Sequence, residues 1–187
     1  MQQNADPLAT DASEDGASNL RSRLDQAYGK IRDDRFSIFP SEGERSATPL
    51  NSYPFHVSWA NLHADWAFTA RRAKLVENLQ ALHQAIIKRD IRHAGFLIGG
   101  SFSDRSVEDP RDIDAVSYYA GHVAVQKDLL STLQRKAKRE LSIDTRFIPV
   151  DTDPLLLIRA TAFFSLLYSK KEGSNQITRP LIFLDTP

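Results

Sequence analysis

The sequence contains no cysteine. That excludes disulfides, thiolate metal sites and a cysteine nucleophile, and it fits a reducing compartment, so the cytoplasm is the expected location. Charge of neither sign prevails. Lys and Arg total 24, as do Asp and Glu, so the chain as a whole has no general attraction to nucleic acid or to a membrane. Long apolar runs are also missing. The longest, residues 154–168, falls short of the roughly 20 residues that cross a bilayer and is broken by Arg159. The opening MQQNADPLATDASEDG lacks the basic start and apolar stretch of a secretory signal, so none is expected.

What is there suits one domain with an extension. Residues 1–17 are rich in Asp, Ala, Ser and Gln and hold few large apolar side chains, so they are expected to stay disordered. Residues 18–32 can form a short helix with Leu20, Leu24, Tyr28 and Ile31 on one face, weakened by Gly29. Three prolines in residues 40–54 mark an irregular linker. The reading is a flexible tail over residues 1–54 and a compact domain over residues 55–187.

Within the domain, Ser58 can cap one long helix reaching Lys88, with Leu62, Trp66, Val76, Leu79, Leu82 and Ile86 inward and Arg71, Arg72, Lys74 and Lys88 outward. Short strands are expected at residues 95–98, 112–118, 143–150 and 181–184. Helices are expected at residues 122–141 and 154–169, the latter opened by Asp153 or Pro154. This α, β, β, α, β, α, β order predicts an α/β (α+β) fold with a mixed sheet of about four strands packed against helices.

The chemistry concentrates in residues 99–114, GGSFSDRSVEDPRDID. Asp112 and Asp114 stand two apart in a strand, so both carboxylates share a face while Ile113 enters the core. Two like charges on one face repel, and a divalent cation between them removes that cost. Magnesium accepts one or two carboxylates and completes its shell with phosphate oxygens and water, so the pair suits a magnesium-bound nucleotide. Gly99 and Gly100 allow a sharp turn and close approach of a ligand, Ser101 offers a hydroxyl and an N–H to phosphate, and Phe102 is expected to anchor the turn.

A hydrophobic strand, Gly-Gly-Ser, ten residues and then Asp-x-Asp resembles the signature of DNA polymerase β-type nucleotidyltransferases. The resemblance implies a minimal nucleotidyltransferase fold in which Gly99, Gly100 and Ser101 hold a nucleoside triphosphate. It also implies that Asp112 and Asp114 bind Mg²⁺ or Mn²⁺ and that a later strand supplies a third carboxylate, for which Asp144 is the candidate metal ligand. Arg146, on the same strand face as Asp144, is placed to neutralise pyrophosphate. Over residues 57–187 the chain also resembles a bacterial family of small nucleotidyltransferase-like proteins of unknown function. The shared features are Arg72-x-x-Leu75, Gly-Gly-Ser-Phe, Asp-Ile-Asp, Ile-Asp-x-x-Phe-Ile-Pro and the Phe-Phe…Lys…Ile-Phe-Leu ending. Thr178-Arg179-Pro180 stands where that family usually carries Lys-Gly.

Two functions follow from the resemblance. One is transfer of a nucleoside monophosphate to an acceptor hydroxyl on a protein or RNA, with Asp112, Asp114 and Asp144 as the catalytic set. The other is a binding or regulatory module, of antitoxin or defence type, that acts through a protein partner. A nucleic-acid role rests only on the basic run at residues 135–139, which also reads as a solvated helix face. Asp104 and Asp109 read as loop residues. The five histidines show no metal-ligand spacing. Trp59, Trp66, Phe68, Phe163 and Phe164 read as core. The loop is no Walker A motif, because the Gly-Lys-Ser/Thr ending is missing.

Overall fold

Two capping residues divide what the sequence suggests is a single long helix. In the computed structural model, which describes residues 14–33, 52–121, 127–171, 173 and 176–186, Ser58 accepts a hydrogen bond from Asn61 N and opens α2, Trp59–Trp66. Thr69 accepts one from Arg72 N and opens α3, Ala70–Ile87. Each hydroxyl satisfies a donor that the first helical turn would otherwise leave bare.

The chain divides into two units, residues 1–52 and residues 53–187. The first contains α1, Glu14–Asp33. It takes in residues 14–17, which the sequence assigns to a disordered tail, and carries Gly29 in its interior. The rest of that tail, residues 1–13, and most of the linker lie outside the described residues.

The second unit holds a five-stranded sheet, one strand more than expected. Its strands are β1 (Phe55–Val57), β2 (Arg92–Gly99), β3 (Ile113–Ala120), β4 (Ile143–Pro149) and β5 (Ile182–Asp185), in the order β1-β5-β2-β3-β4. β1 pairs in parallel with β5, and β3 in parallel with β4, while β2 runs antiparallel to both its neighbours. The sheet is therefore mixed and the fold α/β. The glycine turn is itself helical, a single turn termed α4 (Gly100–Ser103). The crossover between β3 and β4 contains α5, Lys127–Glu140. Residues 122–126, expected to open that helix, lie outside the described residues.

α6, Pro154–Ser169, begins as expected: Asp153 accepts hydrogen bonds from Leu155 N and Leu156 N, and proline occupies the first turn. Its inner face meets Leu97, Val116, Tyr118, Ile148 and Leu181 through Leu157, Ala160, Phe164 and Tyr168. Because strand side chains alternate, the α6 face of β3 carries Asp114, Val116 and Tyr118, and that of β4 carries Asp144, Arg146 and Ile148. α3 lies against β2 and β4, and α5 against β4 and α3.

Several core assignments need correction. Arg72, expected on a solvent face, is completely buried. Phe68 and Phe163, expected in the core, are exposed, and Trp59 is half-buried against the His83 ring. Trp66 and Phe102 are buried as expected. No described helix is long and apolar enough to cross a membrane.

Candidate functional site

Register brings the singled-out residues to one end of the sheet. Gly99 closes β2 opposite Asp114 of β3, and Asp114 in turn stands opposite Asp144 of β4. The glycine turn and two of the three carboxylates thus occupy a row across three adjacent strands. Asp112 lies one residue before β3, whereas the sequence pattern places it inside the strand. Ile113 still separates the two carboxylates and is fully buried, its N–H donating to Ser142 O at 3.0 Å.

Gly100 is the tightest point of this row. Its φ of +69° lies in the left-handed region, and a Cβ there would collide with the Asp114 carboxylate at Oδ2. Glycine satisfies both constraints at once. Gly99 is extended, but a Cβ on it would lie 2.5 Å from Tyr168 Cβ and 2.8 Å from Leu181 Cδ2. Glycine here lets the end of α6 close over β2. Ser103 Oγ donates to Gly100 O at 3.1 Å and fixes the turn. Ser101 is half-buried beside it.

The electrostatics follow from the crowding. Burial, with Asp112 and Asp144 nearby, pushes the Asp114 carboxyl up from 3.8 to about 6, against the opposing pull of Arg111 and Arg179. Asp112 has Arg111 Nε at 3.5 Å, on a side chain that otherwise projects into water. Asp144 accepts from Lys138 Nζ at 2.7 Å and from Arg146 Nη1 at 2.7 Å. Arg146 is thereby placed on Asp144, as their shared strand face implies. The Tyr168 hydroxyl donates to Ala115 O at 3.3 Å, and burial beside Asp114 pushes its pKa well above the usual tyrosine range.

Among the described residues, no three His, Cys, Asp or Glu side chains form a ligand group for a metal ion. The donors present are two neighbouring carboxylates, with Asp144 engaged by its own cations. That set fits an ion of the magnesium type, which takes one or two protein carboxylates and fills its remaining positions with phosphate oxygens and water. The missing Cβ of Gly100 makes room for the Asp114 carboxylate itself, which packs directly against the turn.

The loop between turn and carboxylates is held from below by the start of α3. The buried Arg72 guanidinium donates to four carbonyls: Phe102 O at 2.9 Å, Asp104 O at 2.7 Å, Val107 O at 2.7 Å and Trp66 O at 3.4 Å. Phe68 stacks on the same guanidinium at 4.6 Å. Burial lowers the Arg72 pKa to about 10, which still leaves it charged at neutral pH. Arg71 donates to Pro110 O at 3.1 Å and to Arg111 O, while Thr69 Oγ1 donates to Glu108 O at 3.0 Å. Asp104 accepts from Ser106 N and Oγ, closing the loop on itself, while Asp109 is exposed.

Sequence reasoning passed over Arg72 as a loop anchor. The signal was available: Arg72 lies three, four and seven residues before Leu75, Val76 and Leu79, on their own helical stripe. It also passed over Arg179, whose charge reaches Asp114 and whose Nε is buried without a hydrogen-bond partner among the described residues. No spacing rule could have found Arg179, because a long excursion of chain returns it to the site. His93, the histidine nearest the site in sequence, sits at the opposite end of β2. There its Nδ1 lies 3.1 Å from His83 Nδ1, and burial beside His83 lowers its pKa to about 3.

The fold and site define a mixed-sheet α/β protein with a glycine turn seated on a strand carboxylate. The chain belongs to DUF6932, a family of unknown function whose model matches residues 41–179, a span that includes the whole carboxylate row. No curated protein and no solved structure matches the chain.

Proposed function

We propose that the protein is a metal-dependent nucleotidyltransferase that moves a nucleoside monophosphate from a nucleoside triphosphate to an acceptor hydroxyl. The observation that carries this reading is the row Gly100–Asp114–Asp144, in which a left-handed glycine lets a strand carboxylate seat directly against the turn and register sets a further carboxylate beside it.

In this reading Gly99, Gly100 and Ser101 hold the β- and γ-phosphates through backbone N–H groups and the serine hydroxyl. Asp112 and Asp114 hold Mg²⁺ or Mn²⁺, and that ion, when bound, offsets the developing charge on the phosphates. The acceptor oxygen forms its bond to the α-phosphorus as the bond from that phosphorus to the bridging oxygen breaks, and pyrophosphate leaves. Asp144 takes the acceptor proton once Arg146 turns from its Oδ1 to the phosphates. Arg146 and Arg179 supply positive charge on the same sheet face, toward the departing pyrophosphate.

The test is transfer of label from α-labelled nucleoside triphosphates into cell-extract components with Mg²⁺ or Mn²⁺ present. Label should appear with the wild-type protein and vanish with Asp112→Ala. Absence of label with every triphosphate, or equal labelling by Asp112→Ala, refutes the proposal.

A further inference from the structure

α6 is apolar on both sides. Its inner face seals the sheet, yet Leu155, Leu156, Ile158, Phe163, Leu166 and Leu167 are 48–65% exposed on the other. Arg159 is the one charged residue in the helix. A surface helix normally turns polar residues outward, so an outward face of this kind needs a cover. If each large side chain spans about 180 Å², these six leave on the order of 600 Å² in water.

We infer that a second copy of this chain covers the face, with the two α6 helices packed antiparallel about a twofold axis near Ala162. Area supports this occupant. With Arg159 and Ala162 added at the centre, the patch approaches the roughly 800 Å² per partner of a standard stable interface. Charge supports it too. The face carries a single charge, Arg159, which in an antiparallel pairing centred on Ala162 stands opposite the neutral Ser165 of the second copy, so the face can meet itself about a twofold axis. Ala162 is exposed and small, which lets two helix backbones approach closely at the crossing. This inference goes beyond the transfer activity and does not depend on it.

The test combines mass in solution with cross-linking. Analytical ultracentrifugation of the full chain at micromolar concentration should give twice the 21.0 kDa chain mass. Leu156→Glu combined with Phe163→Glu should give the single-chain mass while keeping the wild-type circular dichroism spectrum. Because the chain has no cysteine, Ala162→Cys should form a covalent dimer on mild oxidation, whereas Thr132→Cys on the exposed face of α5 should not. The Ala162→Cys arm stays informative if the double variant fails to fold. A wild-type monomer, no cross-link at Ala162→Cys, or a monomer that instead binds phosphatidylglycerol vesicles through α6 would each overturn the inference.

Discussion

Gly100 and Asp114 are built around each other: the glycine adopts φ +69°, and the space its Cβ would fill is taken by the Asp114 carboxylate. Replacing Gly100 by Ala forces either the backbone or the carboxylate to move. The left-handed strain alone costs about 1–2 kcal/mol, and the collision adds to it. Urea unfolding should show Gly100→Ala destabilised by about 2–3 kcal/mol. Gly29→Ala, where nothing lies within 4 Å of the added carbon, serves as the control and should be neutral or stabilising.

The raised Asp114 pKa makes stability depend on pH in a defined direction. The folded state holds this proton more tightly than the unfolded chain. Its contribution is therefore full below 3.8 and disappears as pH rises through about 6. Relative to Asp114→Asn, the metal-free wild-type protein should lose on the order of 1–2 kcal/mol between those values, after allowance for partial solvent screening. Parallel melts of the two proteins in EDTA across pH 3.5–7.5 check this as an order-of-magnitude window. A difference that stays flat would show that the carboxyl is not perturbed.

Arg72 ties the turn to the carboxylates through the loop between them. Arg72→Met keeps much of the apolar stem but strips the carbonyls of Phe102, Asp104 and Val107 of their donor. The expected cost is roughly 2–4 kcal/mol, and Arg72→Lys recovers only part of it, because one ammonium cannot reproduce the planar fork. Limited proteolysis should also cut the variant within residues 103–111 faster than the wild type.

Thr69 acts at both ends of the same staple, accepting from Arg72 N and donating to Glu108 O. Thr69→Ala should destabilise by about 1–2 kcal/mol, while Thr69→Ser should recover most of that, since the hydroxyl alone is needed. Thermal melts of the two variants distinguish the cap from the methyl group.

Arg179 offsets the carboxylates from the segment before β5. Arg179→Gln should move the Asp114 transition to higher pH and weaken triphosphate binding about tenfold, in line with loss of one charge-assisted contact. Unchanged binding would remove Arg179 from the site.

The parts of the fold legible in the sequence are those with local cause. Alternation around Ile113, the glycine pair and the Asp153-Pro154 start of α6 each act within a few residues, and the structure carries all three. β1 was not legible: three residues, Phe55–Val57, become a strand only because β5 arrives from the far end of the chain to pair with them. The break between α2 and α3 is hidden in the sequence because the apolar stripe continues across it, while the Thr69 cap that ends the continuity is a single residue. Phe163 looked like core because α6 is apolar all round, and periodicity cannot tell which apolar face is buried. In the site, Asp144 enters through the resemblance and the structure sets it opposite Asp114. The burial of Arg72 is legible in its helical spacing, but the carbonyls it binds and the placement of Arg179 depend on loop paths that no spacing encodes.

Binding of a metal-nucleotide at the Asp112–Asp114 pair is the decisive property. Calorimetric titration with a non-hydrolysable nucleoside triphosphate, with and without Mg²⁺, measures this. Binding should require Mg²⁺ and weaken at least about tenfold in Asp114→Asn, a change of about 1.4 kcal/mol. Failure of all four triphosphates to bind in the presence of Mg²⁺, or equal binding by Asp114→Asn, would contradict it.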